Sequence, residues 1–379
     1  MKKFKIHIRQ AALTDLRRRL ERTRLPDPGA AAGWDYGIDL KFLKRLLGHW
    51  RTHFDWRAEE RTLNRFPQNF TEIDGQGIHF IYAKGKGPKP NPLIITHGWP
   101  GSVAEFTKII PLLTDPARHG GDPRDSFDVI APSMPGYGFS PAPKKPGTGY
   151  SRVAKLWHRL MTRTLGYKTF FAHGGDIGAG VTNRLGLFFP KEVTAIHALS
   201  APYRRLGPNG RPPSAAERAF IALNDTWNWE EGGYTHLQQT RPQTLSVGLN
   251  DSPAGLAAWI VEKFRAWSDC GGNLERRFTL DELLVNISIY WFTGTIGSSV
   301  RMYLENTRHD KRVWDTERVQ VPARLLLTVE ECDRCPKEWA ERSYQNLSYR
   351  TLSKGGHFLA VEEPEILAED LRDYFRSFR

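Results

Sequence analysis

Apolar positions along the chain change their period from one region to the next, and each change predicts a different architecture. From Lys5 to Leu25 a short alternating stretch gives way to Leu13, Leu16 and Leu20 at helical spacing, and Pro26 ends the run. Pro26-Asp27-Pro28-Gly29 reads as a linker. Leu40, Leu43, Leu46, Leu47 and Trp50 then predict a second amphipathic helix from Leu40 to Trp56. From Asn69 the period shortens. Phe70 to Ala83 alternates and turns at glycines, which predicts a hairpin. Leu93 to Thr96, Val129 to Ala131, Phe170 to His173 and Ala195 to Leu199 are short apolar runs separated mostly by helical stretches. That alternation signals a mostly parallel sheet with helices on both faces. From about Tyr203 to Trp314 the strand signal vanishes and helices take over. Pro322 to Val329 returns as a buried strand, Ser348 to Leu352 is strand-like, and Pro364 to Phe378 is a closing helix. The implied division is an extension over 1–68, a first core part over 69–202, a helical insert over 203–316 and a second core part over 317–379. An insert between late strands is most simply a lid that excludes water from a site.

Composition narrows this picture only a little. The 379 residues suffice for one large α/β domain with additions. No run approaches the ~20 apolar residues of a membrane span, and the alternating N-terminus lacks a signal-peptide core. The expectation is a cytoplasmic protein with no membrane partner. With 54 Lys and Arg against 42 Asp and Glu the net charge is +12, but the basic residues are scattered. No zinc-finger or RNA-recognition spacing accompanies them, so a basic solvated surface is favoured over nucleic-acid binding. Cys270, Cys332 and Cys335 are too few for a disulfide framework. Cys332-Asp333-Arg334-Cys335 lacks the second pair of a zinc site. No metal or cofactor is expected. A homo-oligomer is compatible with all of this.

The chemistry concentrates in three loops. Phe170-Phe171-Ala172-His173-Gly174-Gly175-Asp176-Ile177-Gly178 runs from a strand into a turn of small residues. This is the layout of a nucleophile elbow in an α/β-hydrolase fold, with aspartate in the serine's place. A helix cap is the commoner use of such an aspartate, but the flanking glycines allow a strained turn with close backbone approach. His97-Gly98-Trp99-Pro100-Gly101-Ser102 follows an earlier strand, where half of an oxyanion hole lies in such folds. The N–H groups of Trp99 and Ile177 are its candidate donors. His97 reads as a packing histidine rather than a metal ligand. Gly355-Gly356-His357-Phe358 occupies the late loop that supplies the base, and an imidazole titrating near neutrality suits that task. The acid that orients it should follow the strand before it, where Glu330, Glu331 and Asp333 are equal candidates. A carboxylate nucleophile forms an alkyl ester with an electrophilic carbon, which points to epoxides or alkyl halides.

With these motifs in place, the chain resembles the microsomal-type epoxide hydrolases, which carry a characteristic N-terminal extension. The likeness runs nearly end to end through Gly33-Trp34-Asp35-Tyr36-Gly37, Leu63-Asn64-Arg65-Phe66-Pro67, the Thr96 to Ser102 and Pro135 to Ser140 segments, Gly174 to Gly178, Asp251 to Ala258, Tyr290 to Ile296, and Gly355 to Phe358. The resemblance implies that Asp176 is the nucleophile, His357 the base, and Glu331 the acid, the last through the Pro336-Lys337-Glu338-Trp339 anchor. It also implies that Tyr234 and Tyr303 are lid phenols that assist ring opening; from the residues alone either could be a core aromatic. It implies an epoxide and water as reactants, a diol product and no membrane anchor in this chain. Five of the twelve tryptophans fall between Trp227 and Trp291, so an aromatic lid and a bulky apolar, aryl-type epoxide are expected. A haloalkane dehalogenase shares the aspartate elbow but commonly has a tryptophan donor where this chain has Ile177. A non-catalytic scaffold is disfavoured by the intact set of catalytic groups.

Overall fold

The computed structural model describes residues 1–30, 33–202, 212–310, 318–330 and 334–379. Glu331, Cys332 and Asp333 lie outside the described residues. Among the described residues the frame is a nine-stranded sheet ordered β1-β2-β3-β5-β4-β6-β7-β8-β9. The strands are β1 Lys2–Lys3, β2 Gln68–Ile73, β3 Gln76–Ala83, β4 Asn91–Thr96, β5 Phe127–Pro132, β6 Phe170–Gly174, β7 Val193–Ala198, β8 Ala323–Leu327 and β9 Leu347–Thr351. Pairing is antiparallel from β1 to β5 and parallel from there to β9. This is the α/β-hydrolase arrangement that the alternation of strands and helices predicts.

Each central strand feeds two cores because successive side chains point to opposite faces. Ile94 and Ala172 pack with Val153, Leu156 and Leu185 on one side. Their neighbours Leu93, Ile95 and Phe171 pack with Ile109, Leu371 and Phe375 on the other. Burial on both faces explains why these strands read as continuous apolar runs rather than alternating ones.

Two local expectations need correction. The helix expected from Leu40 to Trp56 is two helices, Leu40–Thr52 and Trp56–Leu63. Asp55 starts the second by accepting from the Arg57 N–H at 2.8 Å, while Phe54 and Trp56 keep the apolar spacing going across the break. The hairpin turns at Asp74-Gly75, both with positive φ, so its second glycine, Gly77, already lies in β3.

Between β7 and β8 the described residues are helical, from Ala215–Glu230 to Ile296–His309. The N-terminal helices dock on this insert. Leu16, Leu20, Leu43 and Leu46 share a core with Leu256, Ile260 and Phe264, and the Trp50 indole donates to Ser288 Oγ at 3.1 Å. No single helix among the described residues is long and apolar enough to cross a membrane.

Candidate active site

The site begins with a strained backbone. β6 ends at Gly174, Asp176 sits at φ 51°, ψ −128°, and helix Ile177–Phe188 starts one residue later. A non-glycine residue in that region costs on the order of 1–3 kcal/mol and persists only where its surroundings hold it. The Asp176 carboxylate does not cap the helix. It accepts instead from the Trp99 N–H, at 2.7 Å on Oδ1. Parallel register of β4 with β6 places Thr96 beside Gly174, so the two loops leave the sheet together. Two glycines permit the final approach. A Cβ on Gly98 would lie 2.3 Å from Asp176 Oδ1, and one on Gly178 would lie 2.0 Å from Thr96 O. Ile177 heads the elbow helix, where first-turn N–H groups lack intrahelical acceptors.

His357 arrives from the loop after β9. Gly355 takes φ +87° there, and its N–H donates to Asp269 Oδ2 at 2.9 Å. The His357 N–H donates to Trp267 O at 2.8 Å, and its ring meets the Trp267 ring at 5.1 Å between centroids. These contacts aim Nε2 at the Asp176 carboxylate, 3.7 Å from its Oδ2. The segment leaving β8 runs alongside: the Glu330 N–H donates to Gly355 O at 3.3 Å, and Glu330 bridges Gly356. Glu330 itself is exposed.

The two tyrosines converge on the residue that holds the carboxylate. Tyr234, from helix Gly233–Thr240, stacks on Trp99 with centroids 5.5 Å apart and planes 9° apart. Tyr303, from helix Ile296–His309, meets Trp99 edge-on at 5.9 Å and Tyr234 at 6.1 Å. Burial, reinforced by Tyr234 and Asp176, pushes the Tyr303 phenol well above its usual value of 10.0, so it stays a donor. The structure thus gathers Asp176, Trp99, His357, Tyr234 and Tyr303 at one place, with Ile177 adjoining.

Sequence reasoning missed one acid. Glu105 lies on the short turn Val103–Phe106 after the Trp99 loop. Burial pushes its carboxyl up to about 8, with Asp176 pushing the same way and His357 and a Ser102 backbone bond opposing. The only signal was an acid set among Val103, Ala104 and Phe106. His97 is a packing residue as expected. Its Nδ1 donates to Gly98 O at 3.0 Å, its Nε2 accepts from the Met134 N–H at 3.3 Å, and burial holds it down at about 4.

Fold and site together define an α/β-hydrolase with a carboxylate at the nucleophile elbow. Residues 1–106 match the family described as epoxide hydrolase N terminus, and residues 91–231 match the alpha/beta hydrolase fold. Epoxide hydrolase 1 of Sus scrofa is 40% identical over 398 residues, which span 98% of this chain and 87% of that protein. The juvenile hormone epoxide hydrolase structure from the silkworm Bombyx mori aligns at TM-score 0.90 and 33% identity, covering 100% of this chain and 94% of its own. The epoxide hydrolase structure from Aspergillus niger aligns at TM-score 0.87 and 29% identity, covering 100% and 96%. The chain belongs to the epoxide hydrolase family, as its sequence motifs imply, and it is an enzyme of that activity.

Proposed function

We propose that the enzyme opens its epoxide through a covalent ester on Asp176 and releases a vicinal diol. The single observation that carries this reading is the shared anchor. The Trp99 N–H fixes one Asp176 oxygen, the Trp99 ring supports both phenols, and His357 faces the other oxygen. One carboxylate oxygen attacks a ring carbon and the carbon–oxygen bond of the strained ring breaks. Tyr234 and Tyr303 donate to the alkoxide oxygen as it forms, replacing the water that would otherwise solvate it. A water then gives a proton to His357 and attacks the ester carbonyl. The Trp99 N–H stabilises the resulting oxyanion, with the Ile177 N–H as proposed partner, and the acyl–oxygen bond breaks to free the diol, whose departing oxygen takes the remaining water proton from the adduct and leaves Asp176 as carboxylate. The His357 proton returns the phenol to its neutral form, so water plus epoxide balances diol. Splitting one hard displacement into two steps is the gain of covalent catalysis.

In this reading Glu331, the residue after Glu330 in sequence, orients His357. Residues 1–68 cover the insert, 203–316 act as the lid, and 69–202 with 317–379 form the core. Trp99, Trp267 and Trp227 lie around Tyr234 and favour a bulky apolar epoxide, with aryl epoxides the best match.

The test is a single turnover with excess enzyme in heavy-oxygen water. The label should enter the Asp176 carboxylate before it enters diol. His357→Gln should accumulate an adduct heavier by one substrate mass. Label appearing first in the diol, together with fast turnover by His357→Gln, would sink the ester.

A further inference from the structure

We infer that Lys263 makes Tyr234 the acid of the phenol pair: its ammonium lies over the Tyr234 ring and stabilises the phenolate left when Tyr234 gives its proton to the opening epoxide. This rests on the two-step reading above and divides the work between the two phenols.

The first observation is where the ammonium lies. Lys263 sits on helix Pro253–Trp267 and is only 6% exposed. Lysine is rarely buried to that degree, because its long stem ordinarily carries the charge out to water. Here Nζ lies 4.9 Å from the centre of the Tyr234 ring and 5.8 Å from that of Trp267. Both distances fall within the ~6 Å over which a ring face attracts a cation. Glu262 at 2.7 Å and Glu231 at 3.5 Å pair with the ammonium. Both carboxylates are more exposed than the lysine, so solvent screens them more than it screens the buried cation and ring.

The second observation is the asymmetry between the phenols. Burial, then Tyr234, Asp176, Tyr137 and Tyr150, all push the Tyr303 phenol up, and no cation opposes them among the described residues. Tyr303 therefore keeps its proton and contributes a hydrogen bond. Tyr234 is the one beside a positive charge, and an opposite charge at this range favours the ionised form of an acid.

The step follows from that difference. As Asp176 attacks, the ring carbon–oxygen bond breaks toward oxygen. The Tyr234 O–H bond breaks with it, the proton passes to the epoxide oxygen, and the electron pair stays on a phenolate whose charge spreads into the ring beside Lys263. The proton that His357 later takes from water restores the phenol. Lys263 does not touch the substrate and acts through Tyr234. Ester hydrolysis has other surroundings: Asp176 and His357 border a small chamber of about 20 Å³ that neither phenol nor Lys263 lines.

The test is a double-mutant cycle. Ester formation and decay are followed separately by rapid-quench mass spectrometry with styrene oxide and excess enzyme. Lys263→Met should slow ester formation about tenfold in the parent and in Tyr303→Phe, but within about twofold in Tyr234→Phe, where no phenolate can form. Lys263→Arg, which keeps the charge, should recover most of the rate, and ester decay should stay within about twofold throughout. Equal slowing by Lys263→Met in all three backgrounds would overturn the assignment. Equal slowing of ester decay would also overturn it, since Lys263 would then act through Trp267, whose ring meets His357 at 5.1 Å. Glu231→Gln keeps the test decisive if Lys263→Met does not fold. It removes a counter-charge and leaves the cation in place, so ester formation should not slow; slowing of about tenfold would show that the lysine serves only as a structural pin. An absence of ester in the parent would sink the two-step reading and this assignment with it.

Discussion

Two of the histidine–aspartate pairs among the described residues sit in opposite settings. His197 and Asp370 meet at 2.9 Å with side chains 0% and 1% exposed. Asp370 also accepts from Arg324 at 2.8 Å and Arg350 at 2.5 Å, and His197 Nδ1 faces His173 Nδ1 at 3.0 Å. Burial alone would raise the Asp370 carboxyl, but His197 and the two arginines outweigh it and hold it down at about 2. His357 and Asp176 stand farther apart, at 3.7 Å, with side chains 6% and 22% exposed. Their aspartate occupies a strained backbone, accepts from the Trp99 N–H, and borders a cavity. Residue type does not separate the pairs. What does is the setting, two arginines on one aspartate and open space beside the other. A charge surrounded by cations has nothing left to attack with, and a reactive one must be held short of that.

The sharpest way to break the comparison is to disable the proposed nucleophile. Asp176→Asn should reduce diol formation by on the order of 10⁴-fold or more, since a neutral amide is a far weaker nucleophile toward the ring carbon than a carboxylate. The readout is turnover of an aryl epoxide by protein shown by mass to have kept the amide. Undiminished turnover would remove Asp176 as nucleophile and with it the contrast between the pairs.

A smaller effect tests what surrounds it. Tyr234→Phe and Tyr303→Phe should each slow ester formation on the order of 10²-fold, as expected for a lost donor at a developing oxyanion. Ester decay should change far less, because the phenols do not border the chamber beside His357. Equal slowing of both steps would mean that the phenols act through packing on Trp99.

The sequence made the elbow legible because its requirements are local. A strand, an acid and small residues at fixed offsets suffice to suggest Asp176, and a Cβ on Gly174 or Gly178 would lie only 2.3 or 2.0 Å from neighbouring backbone oxygens. The tyrosines were not legible in that way. Each is an aromatic on a helix, and only docking on Trp99 distinguishes it from core; the resemblance alone carried them. Glu105 escaped because its shift arises from burial after folding. The helix break before Trp56 escaped because Phe54 maintained the apolar period, while the Asp55 cap was the contrary signal. His173 and His197 stand 24 positions apart and meet only because β6 and β7 pair in that register.

The inert pair supplies the last test. Asp370→Asn removes the one anion shared by His197, Arg324 and Arg350. Arg350 is half exposed and loses little, and Arg324 keeps Asp373 at 3.6 Å, but His197 is left fully buried. The cost should be about 3 kcal/mol of stability by chemical denaturation, in line with breaking a buried ion pair from one side. Turnover per folded molecule should stay within about threefold. The sign with pH follows from the depressed carboxyl. Folded Asp370 titrates near 2 against an ordinary 3.8, so its contribution is present above about 3.8 and is lost as pH falls through 2. The parent should therefore lose stability across that window more steeply than Asp370→Asn. Parallel acid profiles would show that the arginines are satisfied without Asp370. A large loss of turnover at unchanged stability would show that the second pair reaches the reaction through His173, which borders the chamber beside Asp176.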